Sequence, residues 1–174
     1  MVDQSLLFKT LKSLNIGLIT GVPDSLLNDF CLYADENLKE SEHIIAANEG
    51  NTIALATGHY LATGKVPLVY MQNSGIGNAM NPLLSLTHQT VYSIPMILVI
   101  GWRGGESASS DWAQHKRQGE LTAVLLDDMN IPYRIIESDD EAIGSFTWAR
   151  QTDLPFKALT ISLAARAPVS VKSM

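Results

Sequence analysis

A chain of 174 residues with 46% hydrophobic side chains is long enough for one domain with a substantial core. A net charge of −6 argues against general nucleic-acid or anionic-membrane binding, and the lone Cys31 excludes an internal disulfide and a thiolate-rich zinc site. Only 17% of residues are charged, which hints that other subunits cover part of the surface.

The start, "MVDQSLLFKTLKSLNIG", carries an early acid and no long apolar core, so it does not read as a signal peptide. No apolar run approaches the roughly 20 residues that span a bilayer, and a cytoplasmic protein is expected. Ser5 to Leu14 places Leu6, Leu7, Leu11 and Leu14 at helical spacing. "GLITGVP" (17–23) predicts a short strand, and "DSLLNDFCLYADEN" (24–37) a helix opened by Asp24 as N-cap, with Cys31 a bystander on it. "HIIAA" (43–47) is the next strand, and "EGNTIALATGHYLATG" (49–64) a helix closed by Gly64. "VPLVYMQ" (66–72) leads through "NSGIGN" into "AMNPLLSLTHQTVYS". "PMILVIGW" (95–102) is the most apolar strand, followed by a polar loop, "RGGESASSDWAQHKRQG" (103–119). Helix "ELTAVLLDDMN", strand "PYRIIE", helix "DDEAIGSFTWARQT" and strand "FKALTISLA" complete the chain.

Apolar strands alternating with amphipathic helices predict an α/β three-layer sandwich, a six-stranded parallel sheet with helices on both faces. The expected organisation is one domain over residues 1–165 and a tail at 166–174. Strand order is not readable from this pattern. Ligands of such sheets bind at the carboxyl ends of the strands. Four strand-to-helix joints therefore share one edge: "GVPDS" (21–25), "ANEGN" (47–51), "QNSGIGN" (72–78) and "GWRGGE" (101–106). The second sets the carboxylate of Glu49 beside an apolar interior, where an unpartnered charge is costly.

Familiar site motifs fail. "GHYLATGKV" has five residues between its glycines where a phosphate-binding loop has four, and Val66 where that loop needs a hydroxyl. "GIGNAM" carries Met80 in place of the third glycine of a dinucleotide fingerprint, which disfavours a flavodoxin-like nucleotide binder. "QNSGIG" lacks the leading glycine of a nucleophile elbow. His43, His59, His88 and His115 show no metal-ligand spacing, and no metal site is expected in this chain.

The stretch "EGNTIALATGHYLATGKVPLVYMQNSGIGNAMNP" resembles the pyrimidine-binding domain of thiamine-diphosphate-dependent 2-oxo-acid decarboxylases. "GVPDS", "MQNSGIGN", "IPMILVIGWRG" and "QHKRQG" bring it nearer to the phosphonopyruvate and sulfopyruvate decarboxylases, from about residue 5 to about 137. The resemblance implies that Glu49 bonds N1′ of the cofactor's aminopyrimidine and favours the tautomer that deprotonates the thiazolium, which then serves as electron sink. Taken alone, Glu49 reads as an ordinary acid at a helix N-terminus. The resemblance further implies Pro23 near the pyrimidine, Gly75 and Gly77 allowing close approach of the ring, and Asn73 and Asn78 binding the cofactor or holding that turn.

Asp24, an N-cap or a group near the substrate carboxylate, and Arg103, with Lys116 and Arg117 behind it, are the candidates for substrate binding. His115 is the candidate proton donor, imidazole being the side chain that exchanges protons near neutrality. In the family, diphosphate and magnesium are held through a "GDG" segment, which this sequence lacks. The implied reading is an alpha-type subunit needing a diphosphate-binding beta-type partner that holds Mg, in a homo- or hetero-oligomer. Its reaction would decarboxylate 3-phosphonopyruvate to phosphonoacetaldehyde, or alternatively act on 3-sulfopyruvate. A non-catalytic assembly module that kept the fold is the competing reading.

Overall fold

Residues 68–72 show how the sheet is buried on both sides. Leu68 and Tyr70 join one apolar cluster, whereas Val69 and Met71, pointing the other way, join a second. The same alternation splits Ile97 and Val99 from Met96, Leu98 and Ile100 on the next strand. Both sets are buried, so the strands read as unbroken apolar runs.

A computed structural model describes residues 3–104, 112–136, 139–151 and 156–162. Its strands are β1 (Ile19–Gly21), β2 (His43–Ile45), β3 (Leu68–Gln72), β4 (Met96–Trp102), β5 (Tyr133–Ile136) and β6 (Phe156–Ser162). Its helices are α1 (Gln4–Ser13), α2 (Asn28–Asn37), α3 (Glu49–Thr63), α4 (Ile76–Pro82), α5 (Ala113–Asp128) and α6 (Asp139–Gln151). All pairings are parallel, in the order β2-β1-β3-β4-β6-β5. Helices α1, α2 and α6 pack on one face, and α3, α4 and α5 on the other. The expected three-layer parallel α/β arrangement is the one observed. The tail at 166–174 lies outside the described residues.

Tyr70 anchors the first face. Its ring is fully buried, meets Phe30 edge-on at 5.7 Å, and its hydroxyl is hydrogen-bonded to His43 Nε2 at 2.9 Å. Gly21, its register partner on β1, leaves room for that ring: a Cβ there would overlap it. Cys31, read as a bystander, packs half-buried against the same cluster, and burial pushes its thiol pKa up.

Two sequence expectations need correction. Asp24 makes no side-chain cap bond, and the segment after it is a 3-10 turn (Ser25–Leu27) before α2. The polar stretch 103–119 is not all loop, because α5 begins at Ala113 and takes in His115, Lys116 and Arg117. A π-helical segment, Leu83–Thr87, also extends α4.

The chain steps from β1 outward to β2, then crosses back to β3 on the other side of β1. The segments leaving β1 and β3 diverge to opposite faces, which opens a crevice outside their carboxyl ends. The candidate residues after β1, β2, β3 and β4 lie on this carboxyl edge of the sheet.

Candidate active site

Glu49 opens α3. Asn48 caps that helix by accepting from the Asn51 amide at 3.0 Å, and Gly64, at φ 67°, ends it in the left-handed region only glycine adopts cheaply. The Glu49 side chain is half-buried. Asn78 on α4 donates from Nδ2 to its Oε2 at 2.8 Å, while Oε1 has no hydrogen-bond partner among the described residues. Beneath it lies Gly75, where a Cβ would stand 2.5 Å from both Glu49 Cγ and Oε1. Gly75 has φ −69° and ψ −16°, open to any residue, so proximity to Glu49 explains the glycine. One carboxylate oxygen is held and the other left available, above a surface stripped of side chain.

A second group forms where β1 and β4 end. Asp24 is buried, its Oδ1 3.9 Å from Arg103 Nε, and its Oδ2 has no hydrogen-bond partner and rests against Gly101. The Arg103 guanidinium donates from Nη2 to Ser25 Oγ. Burial pushes the Asp24 carboxyl pKa up, and the Arg103 guanidinium foremost opposes that rise. His115 lies in the first turn of α5, with its carbonyl packed on Gly104, whose φ of 71° and crowded Cα position both require glycine. Lys116 and Arg117 are exposed, and Arg117 pairs with Glu120 at 2.9 Å. Pro23 is exposed at the turn after β1.

Of the two roles expected of Asn73, its bonds fit holding the turn. It is 4% exposed, and its carboxamide is committed to the protein. Nδ2 donates to the Arg103 carbonyl and to Thr122 Oγ1, both at 2.9 Å, and Oδ1 accepts from the Arg103 amide at 3.3 Å. It holds the turn, as Asn78 holds Glu49. Ser25 stood within a quoted motif without a role, and Thr122, in mid-helix, carried no sequence signal. The structure thus brings Glu49, Gly75 and Asn78 together, and separately Asp24, Ser25 and Arg103 with His115 nearby.

Among the described residues no three His, Cys, Asp or Glu side chains cluster as metal ligands, and no helix is long and apolar enough to cross a membrane. The family model for the thiamine pyrophosphate enzyme, N-terminal TPP-binding domain, matches residues 3–129. The chain belongs to this family. The TPP-binding-domain chain is 33% identical over 135 residues to the sulfopyruvate decarboxylase subunit alpha of Methanococcus maripaludis, covering 78% of this chain and 77% of that protein. It is 30% identical over 161 residues to the phosphonopyruvate decarboxylase of Streptomyces viridochromogenes, covering 90% of this chain but 39% of that one. The benzoylformate decarboxylase structure from Polynucleobacter necessarius superposes with a TM-score of 0.70 at 18% identity, over 98% of this chain and 33% of the other, which shows the fold. By these relatives the chain is a member of the thiamine-pyrophosphate-dependent decarboxylases.

The donor set fits one end of that cofactor. A held carboxylate with an uncommitted oxygen over a bare glycine suits a flat ring bearing N–H groups. The described residues offer no metal cluster for the diphosphate end.

Proposed function

We propose that this chain is the pyrimidine-binding, alpha-type part of a decarboxylase acting on a 2-oxo acid with a second, tetrahedral acid group. The preferred substrate is 3-phosphonopyruvate, giving phosphonoacetaldehyde and carbon dioxide. The observation that carries the reading is the Glu49 carboxylate, fixed by Asn78 over Gly75 with Oε1 uncommitted. Glu49 would hold the aminopyrimidine through N1′. Bound thiamine diphosphate supplies the electron sink for the pair released as the carboxylate leaves. Arg103, steadied by Asp24 and Ser25, is assigned to the phosphonate. His115 is assigned to deliver the proton to the carbon that carbon dioxide leaves.

A partner chain is assigned the diphosphate and Mg. Its support is the stretch of chain that follows Glu49: from Gly50 to Trp102 the only Asp, Glu, Lys or Arg is Lys65. Leu55, Leu61, Leu84, Val91 and Tyr92 on that stretch are exposed, and an open hollow beside α3 is lined by Ala46, Ala47, Asn51, Ala54 and Gly58. An uncharged surface with exposed apolar side chains suits a subunit interface.

Sulfopyruvate is the second reading, supported by the match in length to a sulfopyruvate decarboxylase alpha subunit, whereas the longer stretch of this chain aligned favours phosphonopyruvate. Mixing the chain with a "GDG"-bearing partner, thiamine diphosphate and magnesium, and measuring carbon dioxide release from each acid, decides between them. Glu49→Gln should abolish release and weaken cofactor binding while leaving assembly intact. Unchanged turnover in that variant, or none with either acid in the wild type, defeats the proposal.

A further inference from the structure

Three segments carry the candidate chemistry: the turn after β3 that beds Glu49, the end of β4 that carries Arg103, and α5 that carries His115. One buried side chain touches or belongs to all three. Asn73 is part of the first, grips the second by both its amide and its carbonyl, and reaches the third through Thr122. Both Nδ2 donors and the Oδ1 acceptor are in use, so the side chain is spent on protein contacts. Thr122 in turn donates to the Gln118 carbonyl at 2.8 Å, which directs its lone pairs towards Asn73.

We propose that Asn73 is a positioning residue: its carboxamide sets the Arg103 main chain and α5 against the turn under Glu49, fixing the distance between cofactor and anion-binding groups. The inference rests on the reading of Arg103 as the seat of the substrate's acid group. Main-chain bonds alone do not give this lock, because β3 and β4 stop pairing at Gln72 and Gly101, one residue short of Asn73 and two short of Arg103. The carboxamide continues the pairing past the end of the sheet, mimicking a further ladder step with a side chain. Asparagine satisfies the need for two donors and one acceptor at this reach. Aspartate keeps the shape but loses both donors and sets a charge against the Arg103 carbonyl.

The test uses Asn73→Ala, which removes the acceptor along with both donors, and, should that variant fold poorly, Asn73→Ser. Amide hydrogen exchange on the full chain should accelerate about tenfold or more at Arg103 and Gly104, with amides of β1 and β2 unchanged. Methylphosphonate, titrated against the same chain and followed at the Ser25 and Arg103 amides, should bind at least about fivefold more weakly. In the assembled enzyme, KM for the oxo acid should rise about tenfold, while the cofactor dissociation constant moves by less than about threefold. Exchange at Arg103 as slow as in the wild type overturns the inference, as does freed exchange with unchanged methylphosphonate binding. A purely structural role would lower the Tm and leave binding alone. Exchange and anion binding are read without turnover, so an assembled wild type inert towards both acids would defeat the proposed reaction and leave these two arms to decide the role of Asn73.

Discussion

Gly75→Ala should separate stability from function. The backbone there has φ −69° and ψ −16°, so alanine adds no strain and narrows the unfolded ensemble, which stabilises by about 0.4–1 kcal/mol where nothing else changes. The new methyl would, however, stand 2.5 Å from Glu49 Cγ and Oε1 and 2.7 Å from Cδ. Ordinary contact lies near 3.5–4 Å, so the carboxylate must retreat by about 1 Å. The flexible end of a side chain can do so cheaply, and the fold should keep its Tm or gain slightly. Its hydrogen bond to the cofactor would suffer: a charge-assisted bond is worth about 1.5–3 kcal/mol, and a 1 Å misplacement costs on the order of 100-fold in rate. Thermal melts and cofactor titrations of the assembled enzyme check both halves. Because the two substitutions act through one carboxylate, Gly75→Ala in a Glu49→Gln background should weaken cofactor binding no further. Wild-type cofactor affinity and turnover in Gly75→Ala, or additive losses in the double variant, would refute the assignment of Glu49.

Two further outcomes follow from buried charges. Arg103→Ala strips the counter-ion from the buried Asp24 carboxylate and should cost about 1–3 kcal/mol in denaturant unfolding. The loss should be larger at pH 8 than at pH 5, since Asp24, its pKa already raised by burial, can protonate at the lower pH, and Asp24→Asn should recover part of it. His43 is buried against Tyr70, and burial, opposed by Asp35, depresses its pKa below 6.5. The unfolded chain then binds more protons. This contribution is complete above pH 6.5 and is lost as pH falls through the depressed value, so the unfolding midpoint should drop on acidification, and less so in His43→Asn.

The sequence carried the layers but not the joins. Continuous apolar runs such as "PLVYMQ" could only be strands covered on both sides, and Gly64 marked the end of α3 by its chemistry. The order of strands depends on which helix covers which face, and no local pattern carries that. Asp24 read as a helix cap because the residue type fits. Its actual partner, Arg103, lies 79 positions away, just past the end of β4. Glu49, Gly75 and Asn78 were legible as a group through the resemblance of their motifs. The role of Asn73 needed the registry of β3, β4 and α5, and Thr122 gave no warning of its part.

The last strand is inserted, not appended: β6 lies between β4 and β5 and pairs with both. As the chain leaves the ribosome, β2, β1, β3 and β4 can align once β4 has emerged, and with them the crevice. The flank of β4, meanwhile, stays an open row of unsatisfied amides and carbonyls until residues 156–162 appear. A nascent chain stalled just short of β6 would therefore hold a nearly finished binding edge on a sheet still prone to capture a foreign strand.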